Sequence, residues 1–103
     1  MSDLTDLAIS ICPGAPLDLG IARAVKVLQD AGIETYESCE GGRGHAYPRP
    51  TIRFHGDLGA GWRALGACRT YDLPVRDLAR VWVVIEGEPT GPYWQLVFRR
   101  KVA

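Results

Sequence analysis

Residues 80–100 read RVWVVIEGEPTGPYWQLVFRR, and this stretch decides the fold. Arg80 to Glu86 is the strongest strand signal in the chain, because β-branched and aromatic side chains favour extended backbone. Gly87 to Pro92 is rich in glycine and proline, which predicts a loop. Tyr93 to Arg100 alternates apolar and polar residues and predicts a second strand. The two strands therefore form an antiparallel hairpin.

A helix and two further strands are predicted earlier in the chain. Leu17 to Ala31 is expected to be helical, with Gly32 following as a C-terminal cap. The helix carries an apolar stripe at helical spacing, made of Leu17, Ile21, Val25 and Leu28. Ile33 to Ser38 and Thr51 to His55 then predict two strands. A glycine-rich loop connects them.

A second helix is expected to begin after Asp57, whose carboxylate suits an N-cap. Its predicted apolar stripe is Leu58, Trp62, Leu65 and Cys68 or Arg69. Three glycines weaken this helix but would allow close packing against the sheet. Pro74 ends the segment.

These elements predict an α+β fold in which a mainly antiparallel sheet of four or five strands carries both helices on one face. The order is (β)αββαββ, with the optional first strand at Leu7 to Ile11. The 103 residues suit a single domain spanning residues 1–103. The other sheet face is left open.

Alternation along the strands assigns side chains to the two faces. On the last hairpin, the side chains predicted to face the helices are Val81, Val83, Ile85, Trp94, Leu96 and Phe98. Those predicted on the open face are Trp82, Val84, Tyr93, Gln95, Val97 and Arg99. By the same alternation, Tyr36, Arg53 and His55 join the open face.

Composition limits the partners of the chain. Twelve basic and twelve acidic residues cancel, so nothing in the overall charge would draw the protein to nucleic acid or to an anionic membrane. Binding to nucleic acid or to a membrane would need a local patch of basic residues. The acidic start of the chain, Met1 to Asp6, does not resemble a secretory signal, and no apolar run is long enough to span a membrane. We expect a soluble cytoplasmic protein, in which Cys12, Cys39 and Cys68 are free thiols.

The glycine-rich loop between the predicted strands Ile33 to Ser38 and Thr51 to His55 carries the residues that most resemble a functional site. Cys39 could act as a nucleophile with His45 taking its proton and either Glu37 or Glu40 orienting the imidazole. The alternative is that Cys39 is a buried strand-end residue that behaves as a small apolar side chain. No motif with metal-ligand spacing is present, so no metal and no cofactor are predicted. The loop glycines, with Arg43 and Arg49, could also face a phosphate, although a tight turn is the simpler interpretation.

Aromatic and basic side chains are combined on the predicted open face and the adjoining loop. Such residues anchor protein interfaces, and they also stack bases in single-stranded nucleic-acid binders. The candidate binding residues are Tyr36, Arg43, Arg49, Arg53, His55, Trp82, Tyr93 and Arg99. We expect a protein partner first, including a second copy in a homodimer. The second expectation is that another segment of the same chain covers the open face, and the third is that the face binds nucleic acid.

Two stretches, ESCEGGRGHAYPRPTIRFHG at residues 37–56 and EGEPTGPYWQLVF at residues 86–98, resemble small proteins of uncharacterised activity encoded by phages, prophages and genomic islands. The resemblance implies an accessory protein of a mobile element that binds a host component, such as a defence enzyme. It implies no catalytic residues.

The sequence thus favours a non-enzymatic binding module that recognises a host macromolecule through the open sheet face and the loop from Cys39 to Arg49. One alternative is a small enzyme that uses Cys39 and His45. Another is a binder of single-stranded nucleic acid.

Overall fold

The computed structural model describes residues 20–102, and within them two helices and four strands. The helices are α1 (Ala22–Asp30) and α2 (Leu58–Thr70), and the strands are β1 (Thr35–Cys39), β2 (Thr51–Phe54), β3 (Val75–Ile85) and β4 (Glu88–Phe98). The predicted strand at Leu7 to Ile11 and the start of the predicted first helix lie outside the described residues.

The four strands form one antiparallel sheet in the order β1-β2-β4-β3. Apolar residues of both helices share one core with one face of the sheet, so both helices lie on that face. The predicted α+β fold and the order αββαββ are confirmed. Strands β1 and β3 are the edges of the sheet.

Helix α1 buries the stripe that its spacing predicts. Ile21, Val25 and Leu28 are fully buried in the core. The helix ends before Gly32, which adopts a positive φ of 80° as a C-terminal glycine is expected to do. The N–H of the next residue, Ile33, then donates to the carbonyl oxygen of Leu28 at 3.0 Å. This contact turns the chain from α1 towards β1.

Helix α2 begins as predicted but packs through a different stripe. The carboxylate of Asp57 accepts a hydrogen bond from the N–H of Ala60 at 3.0 Å and caps the helix. The predicted stripe is correct only in its second half: Cys68 is buried and Leu65 packs against the core, whereas Leu58 and Trp62 are exposed. The buried side of the helix consists of small residues, namely Ala60, Gly61, Ala64 and Cys68.

Helix α2 packs through its small residues because the indole of Trp94 in β4 lies against it. A Cβ atom at Gly61 would lie 2.7 Å from Cζ2 of Trp94, so only glycine lets the helix approach the ring this closely. The small residues therefore turn towards the sheet, and Leu58 and Trp62 are left outside. The expectation that the helix glycines allow close packing holds at Gly61.

The β3–β4 hairpin is longer than predicted. Its turn consists of Glu86 and Gly87, both with positive φ, between the paired residues Ile85 and Glu88. The predicted loop from Gly87 to Pro92 is therefore wrong, since most of it belongs to β4. Prolines are tolerated there because β2 pairs only with Trp94 to Val97, so the first half of β4 has a neighbour on one side only.

Strand β3 also begins earlier, at Val75 rather than Arg80, and this changes which of its side chains meet the core. Val81 pairs with Tyr93 and so shares the face away from the helices, contrary to the prediction. None of Val81, Val83 and Ile85 belongs to the core, and β3 supplies Val75 and Leu78 instead. Register shifts after Val75 and Val81 break the simple alternation.

None of the helices in the described part of the chain is long and apolar enough to cross a membrane.

Gly61 and Gly66 of α2 provide a matched test of this packing. Gly61→Ala should lower the free energy of unfolding by about 1–3 kcal/mol, because the new methyl group overlaps the Trp94 ring. Gly66→Ala should raise it by about 0.5–1 kcal/mol, since no atom lies within 4 Å of a Cβ at Gly66 and alanine favours the helix. Urea unfolding measures both. Equal stabilisation by the two variants would contradict the contact between α2 and Trp94.

Candidate binding face

Three aromatic rings lie together on the sheet face opposite the helices. Phe54 and Trp94 point into the core, so His55 and Tyr93, next to them in the strands, project to the other side. The ring of Tyr36 stacks on His55 with centroids 4.4 Å apart and lies 5.2 Å from Tyr93. His55 and Tyr93 are 5.5 Å apart. The prediction that these three side chains share one face is confirmed.

Arg53 lies on the same face and connects it to the glycine-rich loop. Its Nε donates a hydrogen bond to Oε1 of Gln95 at 3.0 Å, and its guanidinium carbon lies 5.5 Å from the ring centre of Tyr47. The hydroxyl of Tyr47 in turn donates to Oε2 of Glu37. Tyr47 thus folds back from the loop over β1 and β2. We call Tyr36, Tyr47, Arg53, His55 and Tyr93 the aromatic face.

Two phenols of the aromatic face, those of Tyr36 and Tyr47, are held in their neutral form. Burial raises the pKa of Tyr47, and the hydrogen bond to Glu37 raises it further. Burial also raises the pKa of Tyr36, which the nearby Arg53 partly opposes. Both residues therefore offer stacking surfaces and neutral hydroxyl groups rather than phenolate bases.

The other end of the same sheet face is buried. The strand register places Cys39, Thr51 and Val97 in one row on the side away from the helices, and all three are buried within the chain. Val97 was predicted on the open face, and its burial corrects that prediction. Among residues 20–102, the half of this face that carries the aromatic cluster is the more exposed one.

The loop between β1 and β2 is a tight turn shaped by its glycines. Gly41, Gly42 and Gly44 all have positive φ, and a Cβ at Gly41 would overlap the backbone of Arg49. The N–H of Gly42 donates to the carbonyl oxygens of Tyr47 and Pro48 at 3.1 Å. This N–H is thus used within the loop rather than pointed at a phosphate, as the turn interpretation expects.

Glu40 joins three separate segments of the chain. Its Oε1 accepts a hydrogen bond from the N–H of Gly20 at 2.9 Å, just before α1. Its Oε2 lies 3.1 Å from Nζ of Lys101 and 3.5 Å from Nε2 of His45. Glu40 and His45, considered above as catalytic partners of Cys39, thus connect the loop to the start of α1 and to the end of the chain.

The thiols in the described residues lie inside the protein. Cys39 has no exposed surface, which confirms the expectation of a buried strand-end residue, and Cys68 is buried beneath α2. Burial raises the pKa of the Cys68 thiol to about 11. Within residues 20–102, no group of three or more His, Cys, Asp or Glu side chains could hold a metal ion. Cys12 lies outside the described residues.

The remaining predicted binding residues are not part of the aromatic face. Arg43 and Arg49 are exposed in the loop. Trp82 is exposed on β3 next to Val81, which faces away from the helices, so strand alternation places Trp82 on the other side of the strand and corrects the prediction that it lies on the open face. Arg99 follows the last residue of β4 and lines a cavity beside α2, where Trp62 also lies. The predicted set thus divides among the aromatic face, the loop, the hairpin and that cavity.

Sequence reasoning missed Tyr47 as a member of the face. Alternation cannot assign it, because it comes from the loop and not from a strand. The one usable signal is the pair Pro48 and Pro50, which flank Arg49 and restrict the backbone that returns the chain towards β2.

No family model, no curated protein and no solved structure matches this chain. The resemblance of residues 37–56 and 86–98 to phage and prophage proteins therefore stays a prediction.

Substitution of Cys39 tests whether its role is packing. Cys39→Leu should lower the free energy of unfolding by about 1–3 kcal/mol, because the site is fully buried and a larger side chain overpacks it. Cys39→Ser should remain folded. Urea unfolding measures both variants.

Labelling of the native protein with iodoacetamide provides the control. Peptide mass spectrometry should find Cys39 and Cys68 unmodified until urea is added. Rapid labelling of Cys39 in the native state would contradict its burial and restore the nucleophile interpretation.

Proposed function

We propose that the protein is a non-enzymatic binding module that recognises a protein partner through the exposed outer half of β3. A second copy of the chain is the partner that its chemistry supports first. A host protein, which the resemblance to mobile-element proteins implies, is the alternative occupant of the same surface.

The observation that carries this proposal is an exposed apolar edge. Trp82, Val84 and Ile85 are 58%, 66% and 57% exposed, and we call them the hairpin tip. They lie on β3, which has a neighbouring strand on one side only. Edge strands are ordinarily protected by charge, yet the run from Val81 to Ile85 has none. Several large apolar side chains left exposed along one edge strand mark an interaction site.

Self-association is favoured by the character of this edge. In a two-fold dimer the same patch serves both copies, so an uncharged apolar patch is complementary to itself. The chain has no net charge, so two copies do not repel each other at long range. A tryptophan at the centre of such a contact would supply much of its binding energy.

The two competing functions, an enzyme that uses Cys39 and a binder of single-stranded nucleic acid on the aromatic face, receive less support. A nucleophile must meet its substrate, whereas Cys39 is fully buried and His45 lies beside Glu40. Nucleic acid on the aromatic face would need free cations, whereas Arg53 already bonds to Gln95 and lies against the Tyr47 ring.

Trp82→Ala tests the proposal in sedimentation velocity over a range of protein concentrations. We expect the wild-type chain to dimerise as its concentration rises. The variant should weaken dimerisation by about 2 kcal/mol, or roughly thirtyfold, because it removes the largest apolar side chain of the contact. Stability should change little, since Trp82 lies outside the core.

Leu58→Ala is the matched control, because Leu58 is also a large exposed apolar residue but lies on α2. It should leave dimerisation unchanged. A monomer at every concentration would exclude self-association. In that case, a host protein that binds the wild type and Leu58→Ala, but not Trp82→Ala, would identify the alternative partner. Equal loss in both variants would overturn the assignment to the hairpin tip.

A further inference from the structure

A cavity of about 670 Å³ lies beside α2, away from the hairpin tip. It is bounded by the second half of α2, by the connection to β3 and by the residues that follow β4. Its lining residues are Trp62, Leu65, Gly66, Arg69, Asp72, Leu73, Pro74, Val75, Arg99 and Arg100. Its volume falls within the range that small-molecule sites occupy.

The cavity concentrates positive charge on a chain that is neutral overall. Arg69, Arg99 and Arg100 line it together with one carboxylate, that of Asp72. Within residues 20–102, none of these three guanidinium groups forms an ion pair or donates a side-chain hydrogen bond to the protein. Guanidinium groups bind phosphate through paired hydrogen bonds, so three that have no side-chain partner among the described residues suit a phosphate-bearing ligand.

Trp62 gives the cavity an aromatic surface. Its side chain is 75% exposed, because Gly61 occupies the adjacent position that meets Trp94. Gly66, four residues further along α2, has no side chain, and no atom lies within 4 Å of where its Cβ would be. Since residues four apart are neighbours on a helix surface, Gly66 leaves space next to the indole. Leu65, Leu73 and Val75 add apolar lining.

We propose that this cavity binds a nucleoside phosphate, with the base stacked on Trp62 and the phosphate held by Arg69, Arg99 and Arg100. Stacking on tryptophan needs a flat ligand, and the arginines need an anion, so a nucleotide meets both requirements in one molecule. The ligand is either a free nucleotide or a nucleotide of a single strand. The site is separate from the hairpin tip and does not depend on the function proposed for it.

Isothermal titration calorimetry tests the site with AMP, with inorganic phosphate and with a short single-stranded oligodeoxyadenylate. Trp62→Ala and Arg99→Gln should each weaken binding of the nucleotide or the oligonucleotide roughly tenfold or more. Arg63→Gln is the matched control, since Arg63 lies next to Trp62 on α2 but does not line the cavity. It should leave AMP binding unchanged and reduce oligonucleotide binding far less than Arg99→Gln does.

The probes also distinguish the source of the ligand. Binding of AMP that is lost in both cavity variants indicates a free nucleotide. Binding of the oligonucleotide alone, with a salt slope that falls by about 0.7 in Arg99→Gln, indicates a single strand. Either result supports the proposal.

Three outcomes would overturn it. The first is that neither AMP nor the oligonucleotide binds. The second is that inorganic phosphate binds as tightly as AMP and Trp62→Ala has no effect, which would leave only an anion site. The third is that Arg63→Gln weakens binding as much as Arg99→Gln. Because Trp62 and Arg99 are exposed, both variants should fold, and their unfolding midpoints verify this.

Discussion

The indole of Trp94 is the contact on which the arrangement of the layers depends. It lies on β4 and stacks on Phe54 of β2 with centroids 6.2 Å apart. Its Nε1 donates to the carbonyl oxygen of Asp57 at 2.9 Å, where α2 begins. Gly61 touches the ring from the helix, and the guanidinium of Arg80 lies 4.6 Å from its centre. One side chain thus connects β2, β3, β4 and α2.

This contact also decides which residues are left for binding. Since α2 approaches the sheet through its small residues, Trp62 is turned outwards beside the arginine cavity. On the sheet, the direction of Phe54 and Trp94 into the core places His55 and Tyr93 on the opposite face. Packing of the interior and composition of the exposed surfaces therefore follow from the same constraint. Although the chain is neutral overall, its surface carries an apolar edge at the hairpin tip and a local concentration of positive charge in the cavity beside α2.

The sequence predicted the fold well where local chemistry was decisive. The stripe of α1, the cap at Asp57 and the positive φ of Gly32 each follow from short-range rules. The predictions were wrong for Leu58 and Trp62 in the stripe of α2 and for the position of the hairpin turn. The apolar stripe of α2 was misjudged because close approach to Trp94 outweighed the burial of Leu58 and Trp62. The hairpin turn was missed because Glu86 adopts the positive φ usually left to glycine or asparagine.

The candidate site was only partly predictable for the same reason. Alternation correctly placed Tyr36, His55 and Tyr93 on one face, because strand geometry alone determines this. The pairing of Arg80 with Trp94, and of Val81 with Tyr93, places Val81 away from the core, and no local pattern in the sequence marks this register. The cavity beside α2 joins Arg69 to Arg99 and Arg100, residues thirty positions apart, which only the tertiary fold brings together.

The three tryptophans offer the most direct measurement of the central claim, that the hairpin tip is a contact surface distinct from the core. Their indole N–H signals can be followed by ¹⁵N NMR as the protein is concentrated from roughly ten micromolar to one millimolar, the range of a weak dimer. We predict that the signal of Trp82 shifts with concentration. Those of Trp62, which lines the cavity beside α2, and Trp94, bonded to Asp57, should not. A Trp82 signal that stays constant, or three signals that shift together, would contradict the account.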